Sequence, residues 1–265
     1  STPLYSSAAS DVYKRQVRNE INRGYRKGES NMYVDREPRF YASVHYNGRP
    51  VLSAITVDDR NYFSSDKNKD GFGRAEYYYS GSSGAGTQMT DFTGYNVAKK
   101  VSTSSSIRND QAVYRPYIHI RYAEILLNYM EAMNEYNPED PKIITYFNEI
   151  RERAGIPNIT VTYPQDLGDK EKMREWILRE RQIELATEGQ RYFDVRRWMI
   201  ADKDGEGRQN GYAHGMNVRG TINDTEEFNR VVETEKIVFN RKMYLQPIPD
   251  HEMRKTQNLV QNPGW

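Results

Sequence analysis

The sequence predicts a mainly α-helical protein, built of antiparallel helix pairs that carry long irregular loops and a few short strands. Three observations lead there. Apolar residues recur with a helical period only between about residues 114 and 202. Pro- and Gly-bearing breaks cut that block into helix-sized pieces. The stretches on either side are polar, and apolar–polar alternation in them is limited to short runs.

The elements follow in chain order. Residues 1–16, "STPLYSSAASDVYKRQ", have no initiator Met, no basic-then-apolar leader and no acylatable Cys. "DVYKRQ" resembles the translated end of a sequencing adapter, so native sequence is expected to begin near Val17, and the lack of a leader carries no information about location. Residues 17–36 are a polar loop. "REPRFYASVHYNGRPVL" (36–52) alternates at Phe40, Ala42, Val44 and Tyr46 ahead of Asn47-Gly48, which predicts a strand and a tight turn. Residues 58–110 are irregular and rich in Gly, Ser, Asp, Asn and Tyr, and their many aromatics favour a functional loop region.

Helical periodicity starts after Pro116. In "YIHIRYAEILLNYMEAMNEY", Ile118, Tyr122, Ile125, Tyr129 and Ala132 make one apolar row and Ile120, Ala123, Leu127 and Met130 a second. The remaining stripe is Arg121, Glu124, Asn128, Glu131 and Glu135, so the helix is predicted to be packed on both sides. "NPEDP" breaks it, and Pro141 opens the next helix, with inner row Ile144, Phe147 and Ile150 and a stop at Gly155. A loop through Pro157 and Pro164 leads to a third helix from about Asp169 to Glu188, ended by Gly189, and a fourth begins near Arg191. Two such pairs are the unit of tetratricopeptide-like arrays, although no clean period of about 34 residues is present. The chain divides into a loop-rich region (17–113), a helical scaffold (114–202) and a second loop-rich region (203–265) with one strand-like run in "KIVFNRKMYLQPIP".

Composition narrows the function classes. A net charge of +1 gives no electrostatic reason to expect nucleic-acid binding. No window approaches the roughly 18 apolar residues of a spanning helix. With no Cys, disulfides, thiolate chemistry and Cys-ligated metals are excluded. Tyrosine is frequent, 21 residues against 8 Phe and 3 Trp, and its ring suits wet aromatic surfaces.

"ILRERQIELATEGQRYFDVRRW" (177–198) is the most charged helical stretch, with Glu180, Glu184 and Glu188 at four-residue spacing. Arg179, Arg181, Arg191, Arg196 and Arg197 lie nearby, and Arg151 and Arg153 lie on the preceding helix. Arginine pairs with carboxylates bidentately, and such pairing depresses their pKa values, which defeats a general acid. None of His45, His119, His214 and His251 lies in the stretch or at ligand spacing to another, so no metal or cofactor is expected. The expected structural ion network is Arg151, Arg153, Glu180, Arg181, Glu184, Glu188, Arg191, Asp194 and Arg197.

"YRPYIHIRYAEILLNYMEAMNE", "FNEIRERAGI", the charged stretch, "YLQPIP" and the terminal "QNPGW" resemble, in order and wording, the C-terminal half of the SusD/RagB family. Thr187 departs from the pattern, standing where the family usually has a bulky aromatic. The resemblance implies a tetratricopeptide-like scaffold without catalytic activity. It implies a surface-exposed lipoprotein of the cell outer membrane that binds oligosaccharides, or in some members peptides, and caps a SusC-like TonB-dependent transporter. Membrane contact would be through a lipid anchor outside this sequence.

Ligand contacts are therefore sought in the loops. Sugars want aromatic platforms beside planar polar groups. Trp176, Trp198 and Trp265 all fall in scaffold motifs. The candidates are Tyr41, Tyr46, Asn47, Arg60, Tyr62, Phe63, Tyr77 and Tyr78, with Asp59, Asn61 and Tyr79 as neighbours; the alternative reading is that these aromatics pin the long loop to the helices. Two rivals stand beside glycan binding. A carbohydrate-active enzyme would draw on Asp58, Asp59, Asp66 or Asp70, and a pure docking scaffold would bind no small ligand.

Overall fold

A computed structural model describes residues 31–33, 36–49, 75–81, 93–102, 105, 113–114, 117–203, 210–221, 227–228 and 231–265. In chain order the elements are α1 (Pro38–Ser43), β1 (Val44–Tyr46), β2 (Tyr95–Val97), α2 (Tyr122–Tyr136), α3 (Pro141–Arg153), α4 (Ile159–Thr162), α5 (Lys170–Glu184), α6 (Gln190–Arg197), β3 (Gly211–Met216), β4 (Val231–Ile237) and α7 (Asp250–Met253). Single 3-10 turns lie at Asn31–Tyr33, Pro164–Asp166 and Arg241–Tyr244.

The helical core forms where apolar periodicity is densest. Leu126, Leu127 and Met130 of α2 meet Ile143, Phe147 and Ile150 of α3, Met173 and Ile177 of α5, and Ile159 of α4. Each such buried side chain contributes on the order of 1.5–3 kcal/mol. On α3 the inner row is Ile143, Phe147 and Ile150, with Ile144 only partly buried. Local signals set the ends. Asp140 accepts the Lys142 N–H at 2.8 Å ahead of Pro141, and Asp169 accepts the N–H groups of Glu171 and Lys172. Gly155, at φ +70°, turns the chain out of α3.

Contacts along the helices give their directions. Asn134 and Glu135 near the C-terminal end of α2 reach Lys170 and Arg174 at the start of α5. Arg121, at the N-terminal end of α2, reaches Glu184 at the end of α5. The two helices therefore run antiparallel, and α3, folded back through the short Asn137–Asp140 turn, packs against α2 and reaches α5 through Arg151 and Arg153.

Several sequence expectations need correction. α2 starts at Tyr122, because Arg121 is extended (φ −134°, ψ 158°) with its guanidinium held by Glu184 and Glu188. Only one apolar row of α2 is covered within the described chain; Tyr122 and Ile125 remain 65% and 50% exposed. α5 ends at Glu184, and Leu185–Thr187 form a turn in which Thr187 takes φ +66°. Glu188 therefore reaches its partners from a turn and not from the helix. Residues 38–43 form α1, because Pro38 occupies its first turn and the Phe40 N–H bonds back to the Glu37 carbonyl. Only Val44–Tyr46 is a strand, and it pairs antiparallel with distant β2, Val44 opposite Val97. The Asn47-Gly48 turn is present, with Gly48 at φ +85°. The β3–β4 ribbon pairs Gly211 with Ile237, with a register shift at Ala213/His214; the expected strand-like run meets β4 only at Lys236 and Ile237, and the rest of the ribbon lies in the stretch that the sequence reads as polar loop. The short helices α4 and α7 likewise lie in stretches that carry no helical period.

Candidate functional site

The expected ligand residues collect around β1. Tyr33 and Tyr46 face each other at 4.4 Å, Phe40 stacks on Tyr46 at 5.4 Å, and Tyr41 and Tyr95 meet the cluster edge-on. Tyr41 donates its hydroxyl to the Tyr33 carbonyl and accepts from the Arg36 N–H. Asn47 uses its side-chain oxygen to accept the Tyr77 N–H at 2.8 Å, while the Tyr77 hydroxyl and His45 Nδ1 share a hydrogen bond of 2.9 Å. Burial, with the Arg49 charge second, lowers the His45 pKa to about 4 and keeps the ring neutral near neutral pH.

Tyr46, Asn47 and Tyr77 are thus buried, and in this arrangement they hold the loops in place. Tyr41 and Tyr78 are half-buried, Tyr78 packing edge-on against Phe228. Burial first, then Glu76, pushes the Tyr78 hydroxyl pKa up. Tyr79 is exposed, its N–H fixed to the Gly220 carbonyl at 2.8 Å. Arg60, Tyr62 and Phe63, and the acids Asp58, Asp59, Asp66 and Asp70, lie outside the described residues.

A second constellation fastens this module to the helices. Glu180 accepts from Arg39 at 2.5 Å and lies 3.6 Å from Arg151. Glu184, 3% exposed, accepts from Arg39 at 3.0 Å, from Arg121 at 2.6 Å and from Arg153. Glu188 pairs with Arg121 at 2.6 Å and Lys99 at 2.5 Å. Burial opposes the charges of Glu184 and Glu188, but the hydrogen bonds from Arg121, Arg39 and Lys99 outweigh it and hold both carboxyls below their usual range. Lys99 and Arg121 also donate to the Glu184 carbonyl, at 2.7 and 2.6 Å, which places two cations on the negative end of α5. Arg39 and Lys99 therefore tie residues 36–49 and 93–102 to α5.

The rest of the charged stretch forms its own cluster. Arg181 grips Asp194 in a fork at 3.1 and 3.0 Å and donates to Asn128 at 2.6 Å. Arg197 bridges Glu131 and Asp194, and the Trp198 indole N–H donates to Glu131 at 2.9 Å. Arg191 lies half-buried on α6. Glu184 and Glu188, held ionised by Arg39, Arg121 and Lys99, have no proton to give, which is the reverse of what a general acid needs. Among the described residues no group of His, Asp and Glu is arranged to hold a metal ion. Arg39, Lys99 and Arg121 were missed as partners of the acidic row. They lie far from it along the chain, and no local spacing marks them. The tryptophans are committed to structure: Trp176 stacks on Tyr163 at 3.7 Å, and the Trp265 indole N–H bonds the Leu245 carbonyl at 3.0 Å.

Comparison with known proteins places this geometry. The sequence matches the SusD family over residues 11–265, and the chain belongs to that family. It is 31% identical over 153 residues to SusD-like protein P2 of Formosa agariphila, covering 56% of this chain and 26% of that protein. Among solved structures, a SusD-like protein from Bacteroides fragilis NCTC 9343 is similar with TM-score 0.62 and 30% identity, over 93% of this chain and 41% of the other. A SusD-like carbohydrate-binding protein from the same strain gives TM-score 0.56 and 26% identity, over 85% and 42%. The fold of this chain is mainly helical and tetratricopeptide-like. The chain thus spans about a quarter of the curated relative's length and about two-fifths of the solved ones. No helix among the described residues is long and apolar enough to cross a membrane.

Proposed function

We propose that this chain is part of a non-enzymatic, surface-exposed outer-membrane lipoprotein that captures oligosaccharide and delivers it to a SusC-like TonB-dependent transporter. The observation that carries the reading is the SusD-family match over residues 11–265. A similar solved structure is itself described as a carbohydrate-binding protein, which supports glycan as the ligand class. The chemistry of the module supports it further. Its aromatic side chains are carried by α1, β1, β2 and the segments beside them, and this module is fixed to the helical base by buried ion pairs. Binding would use the half-buried and exposed rings of Tyr41, Tyr78 and Tyr79 together with Arg60, Tyr62 and Phe63. Tyr46, Asn47 and Tyr77, all buried, would hold the segments that carry Tyr41 and Tyr78. The helical scaffold is residues 114–202, and the flanking 17–113 and 203–265 carry the loops.

Titration calorimetry of the purified chain against a panel of neutral oligosaccharides tests this, with the recovered sugars analysed for cleavage. Saturable heat, intact sugar, and a loss of about 1–3 kcal/mol of binding in Tyr62→Ala and Tyr79→Ala are expected, by analogy with base–aromatic stacking. Product sugars, or isotherms unchanged in both variants, would count against the reading.

A further inference from the structure

Arg49 is half-buried in the aromatic module, and among the described residues no carboxylate pairs with it. The arginines of the joint differ in this. Arg39 and Arg151 meet Glu180, Arg121 meets Glu184, and Arg181 meets Asp194. The described acids of the module are engaged elsewhere, Glu37 by Arg39 and Glu76 by the Tyr78 hydroxyl. Around Arg49 stand Tyr46, Tyr77 and His45 instead. Burial lowers the Arg49 pKa, and only the two tyrosines act the other way. A half-buried cation without a counter-charge costs stability, so its place in the module asks for a reason.

Its placement supplies one. One N–H of the guanidinium goes to the Val44 carbonyl at 2.6 Å, which orients the fork and leaves its other donors for a partner. The backbone is pinned on both sides: the Arg49 N–H bonds the Tyr46 carbonyl at 3.1 Å, and its carbonyl accepts from Ala75 at 3.0 Å. Tyr78 follows Ala75 within about 11 Å of chain, so one short oligosaccharide can span ring and cation. A planar, preoriented fork matches the paired oxygens of an oxyanion, whereas neutral hydroxyls leave its charge uncompensated.

We propose that Arg49 anchors an acidic group, so that the oligosaccharide taken by this module carries a carboxylate or a sulfate. The inference rests on the glycan-capture reading above and names the ligand class for it.

The test is titration calorimetry with matched pairs: uronic-acid oligosaccharides against their carboxyl-reduced counterparts, and sulfated oligosaccharides against their desulfated ones. The acidic member of one pair is expected to bind at least ~10-fold tighter, about 1.4 kcal/mol, and the pair that shows the preference identifies the acid. That preference should shrink as NaCl rises from about 50 to 500 mM. It should vanish in Arg49→Gln and persist in Arg254→Gln, which removes an equal charge from the exposed Arg254–Asp250 pair. If Arg49→Gln fails to fold, Arg49→Lys carries the test: it keeps the charge, loses the fork and should show a reduced preference. Equal affinity within every pair, or a preference untouched at Arg49, would overturn the inference and leave glycan capture standing. Absence of binding by every member of every pair would overturn the capture reading and the inference together.

Discussion

Glu184 shows what a buried carboxylate requires. It is 3% exposed and stays ionised because Arg39, Arg121 and Arg153 converge on it from three different parts of the chain. Removing one member of such a set strands buried charge, so Glu184→Ala is expected to cost about 3–5 kcal/mol in urea unfolding. An exposed pair such as Arg254–Asp250 should cost at most about 1 kcal/mol. His45 gives the molecule a separate response to acid. Its folded pKa, lowered from 6.5 to about 4, means that folding favours the neutral ring. That contribution is complete above pH 6.5 and is lost as pH falls towards 4. Glu184 and Glu188 have folded pKa values depressed below 4.5, so their contribution persists to lower pH and disappears as pH falls through those depressed values. Urea midpoints measured from pH 7.5 to 3.5 should therefore decline in two stages, and His45→Gln should remove the first.

At the scale of elements, helix ends decide how the acidic row is presented. α5 begins at a side-chain cap, and Asp169→Ala should cost about 1 kcal/mol by loss of the bonds to Glu171 and Lys172. It ends early because Thr187 and Gly189 take φ +66° and +88°. No atom crowds a side chain at Gly189, so Gly189→Ala isolates backbone strain and should cost about 1–2 kcal/mol, whereas Thr187→Gly should be neutral or stabilising. Thermal unfolding of the three variants checks these values. The same elements show where a sequence is legible. α2, α3, α5 and α6 announce themselves through a 3.6-residue period and through Pro141, Asp169 and Gly155, which act on immediate neighbours. The β3–β4 ribbon has no such signature: β4 is almost wholly exposed and two glycines interrupt β3, so neither strand alternates cleanly. Pro38 opens α1 within a run whose alternation at Phe40 and Ala42 mimics a strand, so two local signals compete there and the helix start prevails. Among the ligand candidates, a string of tyrosines marks an aromatic module, but which ring is buried depends on pairing between β1 and β2, roughly fifty residues apart.

At the scale of the molecule, the charged helix is the joint between two regions with different tasks. Apolar packing builds the helical base, and the acidic row on its edge receives Arg39 and Lys99 from the aromatic loop module and Arg121 from the entry to α2. The stretch with the greatest density of charge thereby serves to attach the aromatic module to the helices. Amide hydrogen exchange on Glu184→Gln, compared with the unaltered chain, tests this most directly. The account predicts faster exchange across residues 44–49 and 95–102, with the protected amides of α3 around Phe147 and Ile150 unchanged. Loop exchange identical in the two proteins would contradict it.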